Sequence, residues 1–253
     1  MHNFFTYYTN IKSMTHPFMV FSLGHLFYLV LTGFIIYGVY CHYCRLNDFQ
    51  KLRFQHCLGV CFLLEEAIYI VWMLLNCHEN VLISILPLEL CSLCAYMNCI
   101  CAFRQTKTLR FFCAVIGFFA GSIAMLYPVN ISGIYPLISY RTINFYFLHG
   151  AILLFSFIQL KDRTLLEYHN LKSNYFIMCC MFSVAFVVNL MLGTQYMFVG
   201  IPPTIGIIAS VYQLTGVVFF LPAIYIAIFL IQLIILAFLR LVLRNRNEEI
   251  SYR

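Results

Sequence analysis

The chain has 253 residues, of which 63% are hydrophobic and 9% charged, with a formal net charge of +6. Soluble domains carry about 25% charged residues, so a water-soluble fold is excluded and the reading is an all-α, polytopic membrane helix bundle. The positive charges flank apolar runs, where they hold orientation and meet lipid head groups, so no nucleic-acid partner is expected.

Spans need about 20 apolar residues. Residues 1–16 are polar and aromatic, are not read as a cleavable signal, and precede a first run of full spanning length, so the chain is read as complete. Seven transmembrane helices are expected, at about residues 17–41, 57–77, 81–103, 111–127, 142–160, 175–194 and 213–239. Together they form one integral membrane domain over residues 1–253. The loops after spans one, three, five and seven hold all the Lys and Arg except Lys12 and Arg141. That alternation predicts the N-terminus outside and the C-terminus inside. Two outer segments stand out. Residues 127–141 carry Pro128, Gly133, Pro136 and interfacial tyrosines, with a glycosylation sequon at Asn130-Ile-Ser132. Residues 194–212, with Pro202-Pro203 among apolar neighbours, are too apolar for a solvated loop and read as an interfacial or re-entrant lid.

Ionisable residues inside spans are costly and mark function. Here they are His25, Glu65, Glu66, Glu89 and His149, joined by Asn189 and several of the twelve cysteines. Counted from the outer span ends, His25, Glu66, Glu89, Cys91, His149 and Asn189 lie in one layer about 7–17 Å deep, with nothing comparable near the inner side. Phase allows at most one of Glu65 and Glu66 to point squarely inward and separates Glu89 from Cys91, although Pro87 can distort that turn. The bland alternatives are interhelical hydrogen bonds for His25 and Asn189 and a snorkelling role for Glu65. Most cysteines read as small hydrophobes. Cys41, His42, Cys44, Cys57 and Cys61 lack a clean zinc spacing, so no metal or cofactor is expected. Cys91-x-x-Cys94 leaves a thiol oxidoreductase open. An isolated buried thiol is inert, but Cys91 becomes a nucleophile beside a base, and His149 stands at matching depth.

Three blocks in order carry a resemblance. Leu86-Pro-Leu-Glu-Leu-Cys91, Phe145-Tyr-Phe-Leu-His149-Gly150 and Asn189-Leu-Met-Leu-Gly193-Thr194-Gln195-Tyr196-Met197-Phe198 resemble blocks of the transmembrane protein 164 family and its bacterial YwaF-like relatives. Gly24-His25-Leu26 and Glu66 with Trp72 are weaker echoes. Glu89 stands where the family often has His, and Gln195 where it often has Asn. The resemblance implies a membrane acyltransferase that moves a fatty acyl chain from a phospholipid to a lysophospholipid. Cys91 would carry the acyl group as a thioester and His149 would act as acid–base. Glu66 or His25 would orient His149, while Glu89, Asn189, Gln195 and Tyr196 would support the site or contact the head group or oxyanion. A lipid-ester hydrolase with the same pair stays open, as does a non-enzymatic transporter or binding bundle. The expected location is a cell membrane if the source is bacterial.

Overall fold

A computed structural model describes residues 4–8, 17–77, 80–204 and 206–251, with side chains through Leu243. Lys12 and Arg253, used in the charge count, lie outside them. The chain is an all-α membrane protein. Its helices are α1 (Leu23–Arg45), α2 (Asp48–Asn76), the short α3 (Val81–Ser84), α4 (Leu90–Phe103), α5 (Lys107–Leu126), α6 (Tyr140–Gln159), α7 (Leu171–Leu192) and α8 (Gly206–Ser251). Among the described residues six helices are long and apolar enough to span a bilayer, and α4 is a shorter apolar helix.

The expected third span is therefore not one helix. Residues 85–89, around Pro87, leave the helical path, and the chain re-enters helix at Leu90. Pro87 lacks the N–H a continuing helix needs, and its ring disfavours helical geometry at Leu86. The second span also starts earlier than expected, at Asp48. Asn47 caps it by accepting from the Gln50 N–H while the Gln50 side chain accepts from the Asn47 N–H. The last helix is broken at Gly216, whose φ of +66° is open to glycine and strained for other residues.

The chain forms two compact units, one comprising Met1–Leu86 with Cys91–Lys161, the other Pro87–Leu90 with Asp162–Arg253. In the first, α6 is central and packs against α1, α2 and α5. Helix α1 shows why this suits lipid. His25, Tyr28, Thr32 and Ile36 make one narrow buried stripe, while Phe27, Phe34 and Ile35 on the remaining faces are more than half exposed. Water would reject such a surface, whereas hydrocarbon accepts it.

Apolar burial cannot drive helix association within hydrocarbon, so close approach must. Gly117 and Gly121, four residues apart on α5, supply it. A Cβ at Gly117 would come within 2.6 Å of Ser156 Oγ, and one at Gly121 within 3.1 Å of the His149 carbonyl oxygen. In the second unit α7 packs on α8, and Asn174 donates to Gln232 across them at 2.8 Å.

The far end of the first unit holds a buried polar network that the expected single polar layer omits. Gln55 donates to the Tyr43 hydroxyl and its carbonyl accepts from Gln159. Gln159 in turn accepts from Arg110. These residues fell outside or at the edges of the expected spans, so they looked like loop residues.

Because α5 meets the α6 backbone at Gly121, Gly121→Leu should overpack that contact and cost about 1–3 kcal/mol. Thermal unfolding in detergent should show the loss, whereas Gly33→Leu, at an open position on α1, should leave the transition near wild type.

Candidate functional site

Cys91 is the second residue of α4. It sits where the first backbone N–H groups of a helix lack intrahelical partners and the macrodipole favours an anion. The depth count that treated residues 81–103 as one helix, and the phase argument separating Glu89 from Cys91, do not apply here, because Glu89 precedes the helix. The Cys91 side chain is partly accessible while Cys94, one turn on, is fully buried. None of the twelve cysteines forms a disulfide. Among the described residues no group of three or more His, Cys, Asp and Glu side chains converges as a metal site.

His149 lies in the middle of α6 and is buried. Its Nδ1 is 2.7 Å from the Phe145 carbonyl oxygen, and a carbonyl only accepts, so Nδ1 carries the hydrogen. In the neutral ring Nε2 is then left with a lone pair, the form a general base requires. The orienting bond thus comes from a backbone carbonyl one turn back, and the Phe145 ring lies 4.1 Å from the imidazole.

His25 has both nitrogens engaged. Nδ1 accepts from the Phe21 N–H at 2.9 Å, and Nε2 donates to the Met125 carbonyl at 2.9 Å. The ring is a neutral tie between α1 and the end of α5. Glu65 and Glu66 are both buried, although at most one was expected to point squarely into the bundle, a matter that burial alone does not decide. Helix α2 is covered on two sides, so positions 100° apart are both enclosed. Glu65 lies beside Asn144 of α6, and Glu66 beside Ser92 of α4.

Arg141 joins these groups. It was read from sequence only as one of two charges on the minority side. It occupies the first turn of α6, with its guanidinium 4.8 Å from the centre of the Tyr69 ring. Glu65, Cys91, Tyr69 and Tyr135 lie within its electrostatic reach, as do Glu66 and His149. The signal that would have found it was its spacing from His149 on one helix, at i and i+8, with Phe145 between. An aromatic cluster surrounds the arginine's platform. Trp72 packs on Tyr69, Tyr135 and Tyr140, and its indole N–H donates to the Phe5 carbonyl. Burial raises the pKa of the Tyr135 phenol above the usual range, so it stays a neutral hydroxyl.

The other four candidates belong to the second unit. Asn189 is committed to the turn that follows α7. Its amide donates to the Tyr196 carbonyl, and its oxygen accepts from the Tyr196 N–H at 2.8 Å and the Thr194 hydroxyl at 2.7 Å. Gly193 ends the helix in the left-handed region at φ +66°. Gln195 donates to the Pro202 carbonyl, and Glu89 lies within electrostatic reach of Tyr196. The segment expected to be a lid is this Asn189-clamped turn followed by the start of α8.

The first unit therefore holds a thiol at a helix start, a histidine whose lone pair is on Nε2, an arginine and two buried carboxyls. The two histidines should separate in test. His25→Ala leaves a buried carbonyl and N–H without partners and should cost about 1–3 kcal/mol of stability. His149→Ala removes only a side-chain bond to a carbonyl that lies inside α6, and should disturb the melting transition less.

Neither the curated proteins nor the solved structures include a match to this chain. The model of the TMEM164 family, transmembrane protein 164 in full, matches residues 13–243. That range contains α1 to α7 and all but the end of α8, together with Cys91, His149 and the Asn189 turn. The chain belongs to the TMEM164 family.

Proposed function

We propose that the protein is a membrane lipid acyltransferase that moves a fatty acyl chain from a phospholipid to a lysophospholipid through a thioester on Cys91. The observation that carries this reading is the position of Cys91 in the first turn of α4, in the same unit as His149, whose Nδ1–H···O bond to Phe145 leaves the lone pair on Nε2. Family membership supports it by the resemblance of the Cys91 and His149 blocks.

His149 Nε2 takes the Cys91 proton, and the thiolate attacks the ester carbonyl of the donor lipid. The C–O bond breaks, the acyl group stays on Sγ, and the leaving lysolipid oxygen takes the proton back from His149. An acceptor lysolipid hydroxyl then gives its proton to Nε2 and attacks the thioester carbonyl. Sγ leaves as thiolate and recovers the proton. The start of α4 stabilises the negative charge on sulfur and on the tetrahedral oxygen. An apolar surround keeps water scarce and favours transfer over hydrolysis. Access from the outer leaflet favours a phospholipid donor over acyl-CoA.

The test is the intact mass of wild type, Cys91→Ala and His149→Ala in lipid nanodiscs after adding diacyl-phospholipid. Wild type should gain one acyl chain, lost to hydroxylamine and discharged by lysophospholipid. Cys91→Ala should gain none, and His149→Ala should acylate at least about a hundredfold more slowly. Discharge by water alone, with free fatty acid as product, would make the protein a hydrolase with the same pair. Absence of both adduct and lipid turnover would end the enzymatic reading.

A further inference from the structure

Arg141 is placed against three physical preferences at once. It is a cation in the first turn of a helix, the end whose partial charge is positive and repels it. It is partly buried in an apolar protein, where a charge is costly. Its five N–H donors are used on none of the hydrogen bonds or ion pairs formed among the described residues, and its guanidinium lies over the Tyr69 ring. The carboxyl groups within its electrostatic reach have other neighbours, Glu65 beside Asn144 and Glu66 beside Ser92. A second group in the cluster is incomplete too, because the buried Glu65 keeps Oε2 without a hydrogen-bond partner.

An anion beside Arg141 resolves the three mismatches of the arginine, although not the Glu65 oxygen, which needs a donor. It cancels the charge, accepts the unused donors, and is itself favoured by the start of α6. The planar fork of arginine matches two oxygens on one phosphorus, and stacking on Tyr69 holds the fork in one orientation. Cys91 lies within the same electrostatic neighbourhood, so an anion bound here belongs to the molecule that presents its ester to the thiol. We infer that Arg141, held by Tyr69, is a phosphate subsite that binds the phosphodiester of the lipid and selects phosphate-bearing lipids over neutral glycerides. This inference deepens the acyltransferase reading and rests on its lipid substrate.

The test compares wild type, Arg141→Gln, Arg141→Lys and Tyr69→Leu as full chains in detergent micelles. Native mass spectrometry reads the bound fraction of didecanoyl phosphatidylcholine against didecanoylglycerol. Acylation of Cys91 by p-nitrophenyl decanoate, an ester without a head group, is followed in parallel. Wild type should prefer the phosphate-bearing lipid, and Arg141→Gln should lose that preference by about tenfold or more. Arg141→Lys should keep part of it, because a point charge replaces the fork, and Tyr69→Leu should fall between. Acylation by the head-group-free ester should persist in all four.

A wild type without preference, or an Arg141→Gln protein that keeps it in full, overturns the subsite. Equal loss of p-nitrophenyl decanoate acylation in Arg141→Gln also overturns it, since Arg141 would then act on the thiol. If Arg141→Gln does not fold, Arg141→Lys and Tyr69→Leu decide in its place, and unchanged preference in both counts against the proposal. If no ester acylates wild-type Cys91 but the phosphate preference depends on Arg141, the subsite stands and the acyltransferase reading falls.

Discussion

Close backbone approach between α5 and α6 is the contact on which the first unit depends. In hydrocarbon a leucine gains little by leaving lipid for protein, so helices associate through fit, dispersion and hydrogen bonds. Gly117 and Gly121 let α5 lie against α6 at Ser156 and at the carbonyl of His149. With that side fixed, the remaining faces of α6 are free to receive α1 and α2. The same arrangement holds the imidazole, because the residue whose backbone is pinned is the residue whose side chain offers Nε2.

Polar atoms divide between the units by purpose. In the second unit Asn189 spends its amide on a turn, and Asn174 with Gln232 ties two helices. In the first, His25 and the Gln55–Gln159 network tie helices in the same way. The groups around Arg141 are different in kind. They include an unsatisfied carboxyl oxygen and a guanidinium with no acceptor among the described residues. Burial without satisfaction is expensive in a low-dielectric medium; single unsatisfied atoms also remain on Asn174 and Gln232, so what sets this cluster apart is the charge of Arg141 within it.

Long apolar runs made the helices legible in the sequence, since few arrangements other than a spanning helix satisfy twenty apolar residues in succession. The Cys91 and His149 blocks were legible because thiols and imidazoles are conspicuous in such runs. The interruption at Pro87 was hidden, because residues on both sides are as apolar as a continuous span would be. The burial of both Glu65 and Glu66 was hidden too, since a single helix wheel does not say how many neighbours surround it. Arg141 was hidden for a different reason. An arginine at a span end reads as an orientation signal, and only the three-dimensional surroundings of the start of α6 show that it has carboxyls, a thiol and a tyrosine face within reach.

The bond from the Trp72 indole to the Phe5 carbonyl, and that from the Tyr140 N–H to the Phe4 carbonyl, bring residues near the N-terminus onto the aromatic cluster that carries Tyr69. Antibody epitopes or affinity handles inserted near Phe4 and Phe5 would compete for that ground. A protein so altered could insert and purify normally while its arginine platform is disturbed, so a silent tagged preparation would say less about the native chain than a silent untagged one.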